Sequence, residues 1–322
     1  MKTTASRRAA VIMCLILFFS GCSGEKDLSQ TTGSPEDKPD INAYEDIRID
    51  ALASSELPDI DLSKTGDEIV SKPDTLRFRD VFGEEYLMEI NHEVPKKEYE
   101  DGLFRHDGDR LYYDDKEYDC VLGVDVSHHQ GMIEWDKVKK DGYDFAFLRI
   151  GYRGYGKEGL IKPDKEFQRN IANAKEAGLK VGVYFFAQAI NENEAREEAE
   201  FVIQSLSGNE IELPVVYDPE SILDHEARTD GVSGKQFTEN TEVFCTMISE
   251  AGYQPMIYCN MLWEAFELDL EKLPDIPIWY ADYEPVPQTP YNFLFWQYIN
   301  CGKVDGIKGE ADLDIWMRKA ER

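Results

Sequence analysis

Residues 214–220, PVVYDPE, end an apolar run in two carboxylic acids that flank a proline. On an extended chain Asp218 and Glu220 point the same way, with Cα atoms about 6.5–7 Å apart. Pro219 has no N–H to offer a ladder, so strand pairing is ending there. Two carboxyl groups on one face suit glycoside hydrolysis, in which one acid protonates the leaving oxygen and the other steadies or attacks the sugar. Like charge and partial burial raise one pKa, which keeps a proton available near neutral pH. Taken alone, D-P-E is equally an exit from a strand into a solvated turn. Its company must decide.

The elements that would position such a pair begin at Val121. Strand patterns fall at 121–127, 145–151, 180–187, 213–220, 255–259, 277–282, 293–299 and 311–316, and helical patterns at 133–141, 165–177, 192–206 and 237–251. Asn191 is a good cap for the third helix, and Gly178 and Gly252 stand where a helix C-terminus favours glycine. Strand–helix alternation predicts an α/β fold with a parallel sheet. Eight strands with fewer than eight helices predict an irregular TIM-like β/α barrel, helices being scarce after residue 265. No glycine-rich phosphate loop opens any of these helices, so nucleotide binding is not indicated. Active sites of such barrels form at the C-terminal strand ends. Asp125, Asp282, Gln297 and Asp312 are read there with Asp218 and Glu220. The aromatics Tyr152, Tyr184, Phe186, Tyr258, Trp279 and Tyr298 are read as candidate sugar-binding residues, although alternate residues of a barrel strand face outward.

The remainder of the chain is read as an address and a tether. Lys2, Arg7 and Arg8 precede an apolar run and then Ser20-Gly21-Cys22, a secretory signal too short to span a membrane. The small residues before Cys22 resemble a bacterial lipobox with Phe19 at the −3 position. That implies cleavage after residue 21 and a lipid on the Cys22 sulfur, anchoring the protein to the outer face of the cytoplasmic membrane, or plain secretion if the lipobox is not used. Residues 22–72 are acidic, Ser/Thr/Pro-rich and expected to be disordered. Residues 73–119 alternate apolar and polar residues around Asp101-Gly102 and Asp107-Gly108, which predicts a small β-rich lead-in. The net charge of −29 argues against nucleic acid as a ligand. Cys120, Cys245, Cys259 and Cys301 contain no C-x-x-C pair, so zinc has no support. His128-His129 does not suggest a metal either, since adjacent strand residues face opposite ways. A monomer without cofactor is expected.

GVDVSHHQGMIEW (123–135), the D-P-E strand end, PMIYCN (255–260), PIWYADY (277–283), FWQY (295–298) and DLD (312–314) occur in that order from Val121 onward. Together they resemble glycoside hydrolase family 25, the Chalaropsis-type lysozymes or N-acetylmuramidases. The resemblance implies cleavage of the β-1,4 bond between N-acetylmuramic acid and N-acetylglucosamine in peptidoglycan glycan strands. It implies Glu220 as general acid and then base, Asp218 orienting the substrate's N-acetyl oxygen or steadying charge, and Asp125 and Asp312 lining the cleft. Where many members carry Y-H-F in strand three, this chain has Tyr184-Phe185-Phe186. A chitinase-like hydrolase is disfavoured because its further acids two and four residues upstream of Asp218 are here Val216 and Pro214. A non-catalytic peptidoglycan-binding lipoprotein is the alternative of another class, and four acids retained together argue against it.

Overall fold

A computed structural model describes residues 74–222 and 226–320. The expected signal peptide, Cys22 and the expected acidic tether lie outside the described residues. The lead-in forms two antiparallel hairpins, β1 (Thr75–Arg79) with β2 (Glu85–Glu89) and β3 (Phe104–Asp107) with β4 (Arg110–Tyr113). Asp107-Gly108 makes the second turn, with Gly108 at φ +59. Asp101-Gly102, in contrast to the expectation of a hairpin turn, opens a single 3₁₀ turn over Asp101–Leu103.

The barrel follows. Its strands are β5 (Tyr118–Val126), β6 (Phe145–Arg153), β8 (Lys180–Ala187), β9 (Val215–Pro219), β10 (Pro255–Asn260), β11 (Ile278–Ala281), β12 (Phe295–Gly302) and β13 (Ala311–Lys319), with a short β7 (Ile161–Pro163) added to β6. β5 pairs with both β6 and β13, which closes the sheet. Apart from the short antiparallel β7, pairing is parallel from β5 through β12, but β13 runs antiparallel to both neighbours. The purely parallel sheet expected from the sequence is thus corrected at its eighth strand. Residues 303–310 alone join β12 to β13, shorter than the dozen or so residues that a parallel crossover needs. The reversal puts the first residues of β13, not its last, at the barrel mouth, which is why Asp312 faces Asp125 in register.

Helices α1 (Trp135–Lys140), α2 (Phe167–Glu176), α3 (Glu192–Leu206) and α4 (Gly234–Glu250) cross over the first strands, and α5 (Met261–Phe266) follows β10. The side chain of Asn191 caps α3 by accepting from the Glu194 N–H at 3.1 Å. Ala195, Ala199, Val202 and Leu206 on its inner face are fully buried. Ser233 caps α4 in the same way, so that helix begins three residues earlier than its apolar pattern indicates.

Side-chain alternation separates two cores. Inside the barrel lie Phe145, Phe147, Val216, Met256, Tyr258, Trp279 and Phe295. The large rings fit because glycine stands opposite them. A Cβ on Gly123 would come within 2.3 Å of the Phe145 ring, and one on Gly182 within 2.4 Å of Phe147. The larger core lies outside, under the helices. Where helices are missing, over β11 to β13, the lead-in covers the barrel instead. Phe104 packs edge-on to Trp296 at 5.3 Å, Tyr99 lies 4.9 Å from Phe293, and the Tyr99 hydroxyl donates to the Phe293 carbonyl at 2.8 Å.

Candidate active site

The ring-filled interior of the barrel gives way to acids at the mouth. Parity dictates the set: Asp125 follows Gly123, Asp218 follows Val216, Gln297 follows Phe295, and Asp312 and Asp314 share the inward face of β13. Asp218 and Glu220 are both buried. No hydrogen-bond partner meets Asp218 Oδ1 among the described residues. Burial raises the Asp218 pKa well above the ordinary carboxylate value, and the Glu220 and Asp125 charges push the same way while Arg149 opposes them. Asp312 is raised by burial and then by Asp125 and Glu220.

Asp125 is pushed up to about 7, chiefly by burial, and the Gln297 amide opposes that by donating to Oδ2 at 2.7 Å. Gln297 is itself fixed, because the hydroxyls of Tyr258 and Tyr283 donate to its Oε1 at 2.9 and 2.8 Å. Beneath this layer Asp314 is fully buried and raised by burial and by Asp125. The Trp279 indole donates to its Oδ1 at 2.8 Å. Burial and the Asp125 charge both favour the neutral form of Asp314, which can donate as well as accept beside Asp125. The sequence reading passed over it, yet the signal was present: Asp312 and Asp314 are two apart on one strand and must share a face.

Arg149 was also passed over. It lies beside Tyr184 in register on β6 and β8, and it pairs with Asp164 at 2.9 Å. A bulge in β6 between Arg149 and Gly151 turns Tyr152 to the mouth as well, although the two are three residues apart. The Arg149 guanidinium sits 5.2 Å from the centre of the Tyr152 ring. Tyr184 stays protonated, held there by burial and by the charges of Asp125, Asp218 and Asp312. Phe186 stands opposite Asp218 in register. Tyr152, Tyr184 and Phe186 therefore flank the acids on one side, with Gln297 and Tyr258 on the other.

Three candidates fall elsewhere. Trp279 is inside the barrel, stacked on Phe147 at 4.6 Å, and its part is to hold Asp314. Tyr298 faces outward, its hydroxyl on the Asp109 carbonyl of the lead-in at 2.8 Å. Asp282 accepts from the Tyr280 hydroxyl at 2.7 Å and from the Gln288 N–H at 2.9 Å, anchoring the loop after β11. His128 and His129 lie in a 3₁₀ turn, not on a strand, and their rings lie 4.1 Å apart, tilted by 31°. His128 Nδ1 lies 3.0 Å from Asp164, which builds the pair into the Arg149 cluster. The four cysteines of this region are free thiols.

A clamp below the mouth holds the D-P-E segment. Gln188, at the end of β8, donates its side-chain amide to the Glu220 carbonyl at 2.5 Å and accepts from the Thr229 hydroxyl at 3.1 Å. Arg228 donates to the Gln188 carbonyl at 2.6 Å, and buried Glu198 accepts the Gln188 N–H at 3.2 Å.

A β/α barrel whose mouth gathers buried, proton-retaining carboxyl groups is the framework of a glycoside hydrolase. The profile of glycosyl hydrolases family 25 matches residues 124–307, and the chain belongs to that family. It is 28% identical over 195 residues to the autolytic lysozyme of Clostridium acetobutylicum, covering 60% of this chain but 55% of that protein. Lysozyme M1 of Streptomyces globisporus is 28% identical over 221 residues, which is 63% of this chain and 69% of that one. The crystal structure of a family 25 glycosyl hydrolase from Bacillus anthracis aligns with a TM-score of 0.52 at 25% identity, over 66% of this chain and 92% of that chain.

Proposed function

We propose that the chain is an N-acetylmuramidase that cuts the β-1,4 bond between N-acetylmuramic acid and N-acetylglucosamine in peptidoglycan. The observation that carries this is the pairing of Asp218 and Glu220, both buried at the mouth of a family 25 barrel, with Asp218 Oδ1 left without a hydrogen-bond partner among the described residues. The two lysozymes that this chain matches in sequence support the substrate class.

Glu220 protonates the glycosidic oxygen as the bond to N-acetylglucosamine breaks. Asp218 orients the N-acetyl group of the muramic sugar, whose carbonyl oxygen attacks the anomeric carbon from the opposite face. The oxazolinium so formed is opened by a water from which Glu220 takes a proton, giving net retention. Substrate-assisted families depart from the two-carboxylate nucleophile scheme in this way. Asp125 and Asp312 tune the charge around the pair, and Tyr184 and Tyr152 flank the sugar site. Export with a lipid on Cys22 would place this monomeric barrel near the wall on the 22–72 tether.

Digestion of purified cell walls by the full chain, followed by mass spectrometry, tests the activity. Soluble muropeptides with new muramic reducing ends are expected, and Glu220→Gln lowers the rate about 10²- to 10⁴-fold, the contribution of one proton-transfer group. New N-acetylglucosamine reducing ends, or no products from several wall types, would overturn the reading. Mass analysis of the amino-terminal fragment tests the lipid on Cys22, and an unmodified Cys22 in membrane extracts refutes it.

A further inference from the structure

An open pocket of about 620 Å³ lies beside the acids, between the β1–β2 turn and the mouth ends of β10 and β11. Its size falls in the range of small-molecule sites, about 300–1,000 Å³. Asn260, Ala281, Asp282 and Tyr283 form its barrel wall, and Val81 and Phe82 belong to its outer wall. None of the acids assigned to bond cleavage lines it.

The outer wall is held in place. Gln288 donates to the Arg79 carbonyl at 2.9 Å and accepts the Arg79 N–H at 2.8 Å, so one side chain docks the hairpin on the loop after β11. Within the turn, Asp80 Oδ1 accepts the N–H groups of Phe82 and Glu84, both at 2.9 Å. Just below the turn Phe78 stacks on Tyr86 at 5.4 Å and is buried. The tip is different: Phe82 is 56% exposed and Val81 45%. A turn this firmly fixed presents an apolar ring to solvent at the edge of a pocket lined by both apolar and polar groups. An aromatic platform beside the amides of Asn260 and Asn300 and the carboxylate of Glu284 is what a pyranose requires, one apolar face to stack and a rim of hydroxyl and acetamido groups to bond.

A hydrogen-bonded chain also ties the pocket wall to the acids. The Tyr283 hydroxyl on its wall donates to Gln297 at 2.8 Å, and Gln297 donates to Asp125 at 2.7 Å. The β1–β2 turn precedes residue 124, where the family match begins, so this wall is an addition to the shared barrel.

The geometry points to an extra glycan subsite, walled by the β1–β2 turn with Phe82 as its stacking platform, that binds N-acetylated sugars beyond the pair held at the acids. The inference rests on the wall-glycan reading above, and its test separates the two. Full chain carrying Glu220→Gln is titrated calorimetrically with N-acetylglucosamine oligomers of two, four and six sugars. Affinity is expected to tighten at least tenfold from dimer to hexamer. Adding Phe82→Ala weakens the hexamer about five- to tenfold, as loss of one stacked ring does, and leaves the dimer unchanged. Leu87→Ala, on the same hairpin but away from the pocket, alters neither. No gain with length, or a Phe82→Ala effect that is absent or equal for both oligomers, overturns the subsite. If the wild-type chain releases muramic ends while the oligomer pattern fails, the subsite alone falls. If no wall products form but the length and Phe82 dependence hold, the subsite stands and the cleavage reading falls.

Discussion

Asp125→Asn should make the protein more stable above neutral pH, and by an amount the mouth geometry sets. Asp125 is buried and titrates at about 7 in the fold, against about 3.9 for an unfolded aspartate. The folded state therefore holds this proton more tightly than the unfolded chain does. Its contribution to stability is complete below about pH 3.9 and is lost as pH rises through about 7. At about 1.4 kcal/mol for each tenfold change in proton affinity, the loss is about 4 kcal/mol if Asp125 titrates alone. Its neighbour Asp314 competes for protons in the same space, which brings the expected figure to about 2–4 kcal/mol. Asparagine keeps an oxygen to accept from Gln297 and has no charge to bury. Urea unfolding followed by tryptophan fluorescence from pH 4 to pH 8 is the assay. The variant should match the wild type near pH 4 and exceed it by about 2–4 kcal/mol at pH 8, while cleaving walls more slowly. Parallel stability curves, or a variant weaker than wild type at pH 8, would refute the assignment of a buried, proton-retaining Asp125.

Two further outcomes follow from the packing. Gln188→Ala removes the clamp on the Glu220 carbonyl, and kcat should fall about tenfold or more with little change in KM, since misplacement of an acid affects the chemical step. The same variant leaves the buried Thr229 hydroxyl without its acceptor and should cost about 1–3 kcal/mol in urea unfolding; an unchanged kcat refutes the positioning role. Gly182→Ala drives a methyl to 2.4 Å from the Phe147 ring and 2.9 Å from the Pro214 carbonyl, and should destabilise by about 1–3 kcal/mol, with a neutral midpoint counting against the filled-barrel account.

The parts of the site that the sequence made legible depended on one strand's own alternation. Asp218 and Glu220 are two apart, so their shared face required no knowledge of neighbours. Gln297 and Tyr298 are adjacent, and only one of them can face the mouth; the apolar pattern FLFWQYI is aromatic on both faces and does not say which. Structure resolves it, because Phe295 is inside the barrel and Gln297 follows its parity. Asp282 and Trp279 differ in parity for the same reason. Tyr152 was placed correctly at a strand end, but its approach to Arg149 depends on a bulge that no residue type announces. Asp312 was assigned to a strand end on the assumption of parallel strands, and it reaches the mouth because β13 is reversed. The architecture was legible wherever helices alternated with strands and became uncertain after residue 265, where the lead-in substitutes for helices.

That substitution separates the boundary of ancestry from the boundary of folding. The family match spans 124–307, yet Phe78, Met88, Val94, Tyr99, Phe104 and Leu111 of the lead-in are all buried in the outer core. At about 1.5–3 kcal/mol for each large apolar side chain, those six represent on the order of 10 kcal/mol, as much as an entire domain's net stability. A gene fragment cut at the homology border would carry the catalytic acids and leave an apolar flank of the barrel bare to water. The unit that can be moved between proteins as a folded module includes both hairpins, which are inseparable from the barrel flank they cover.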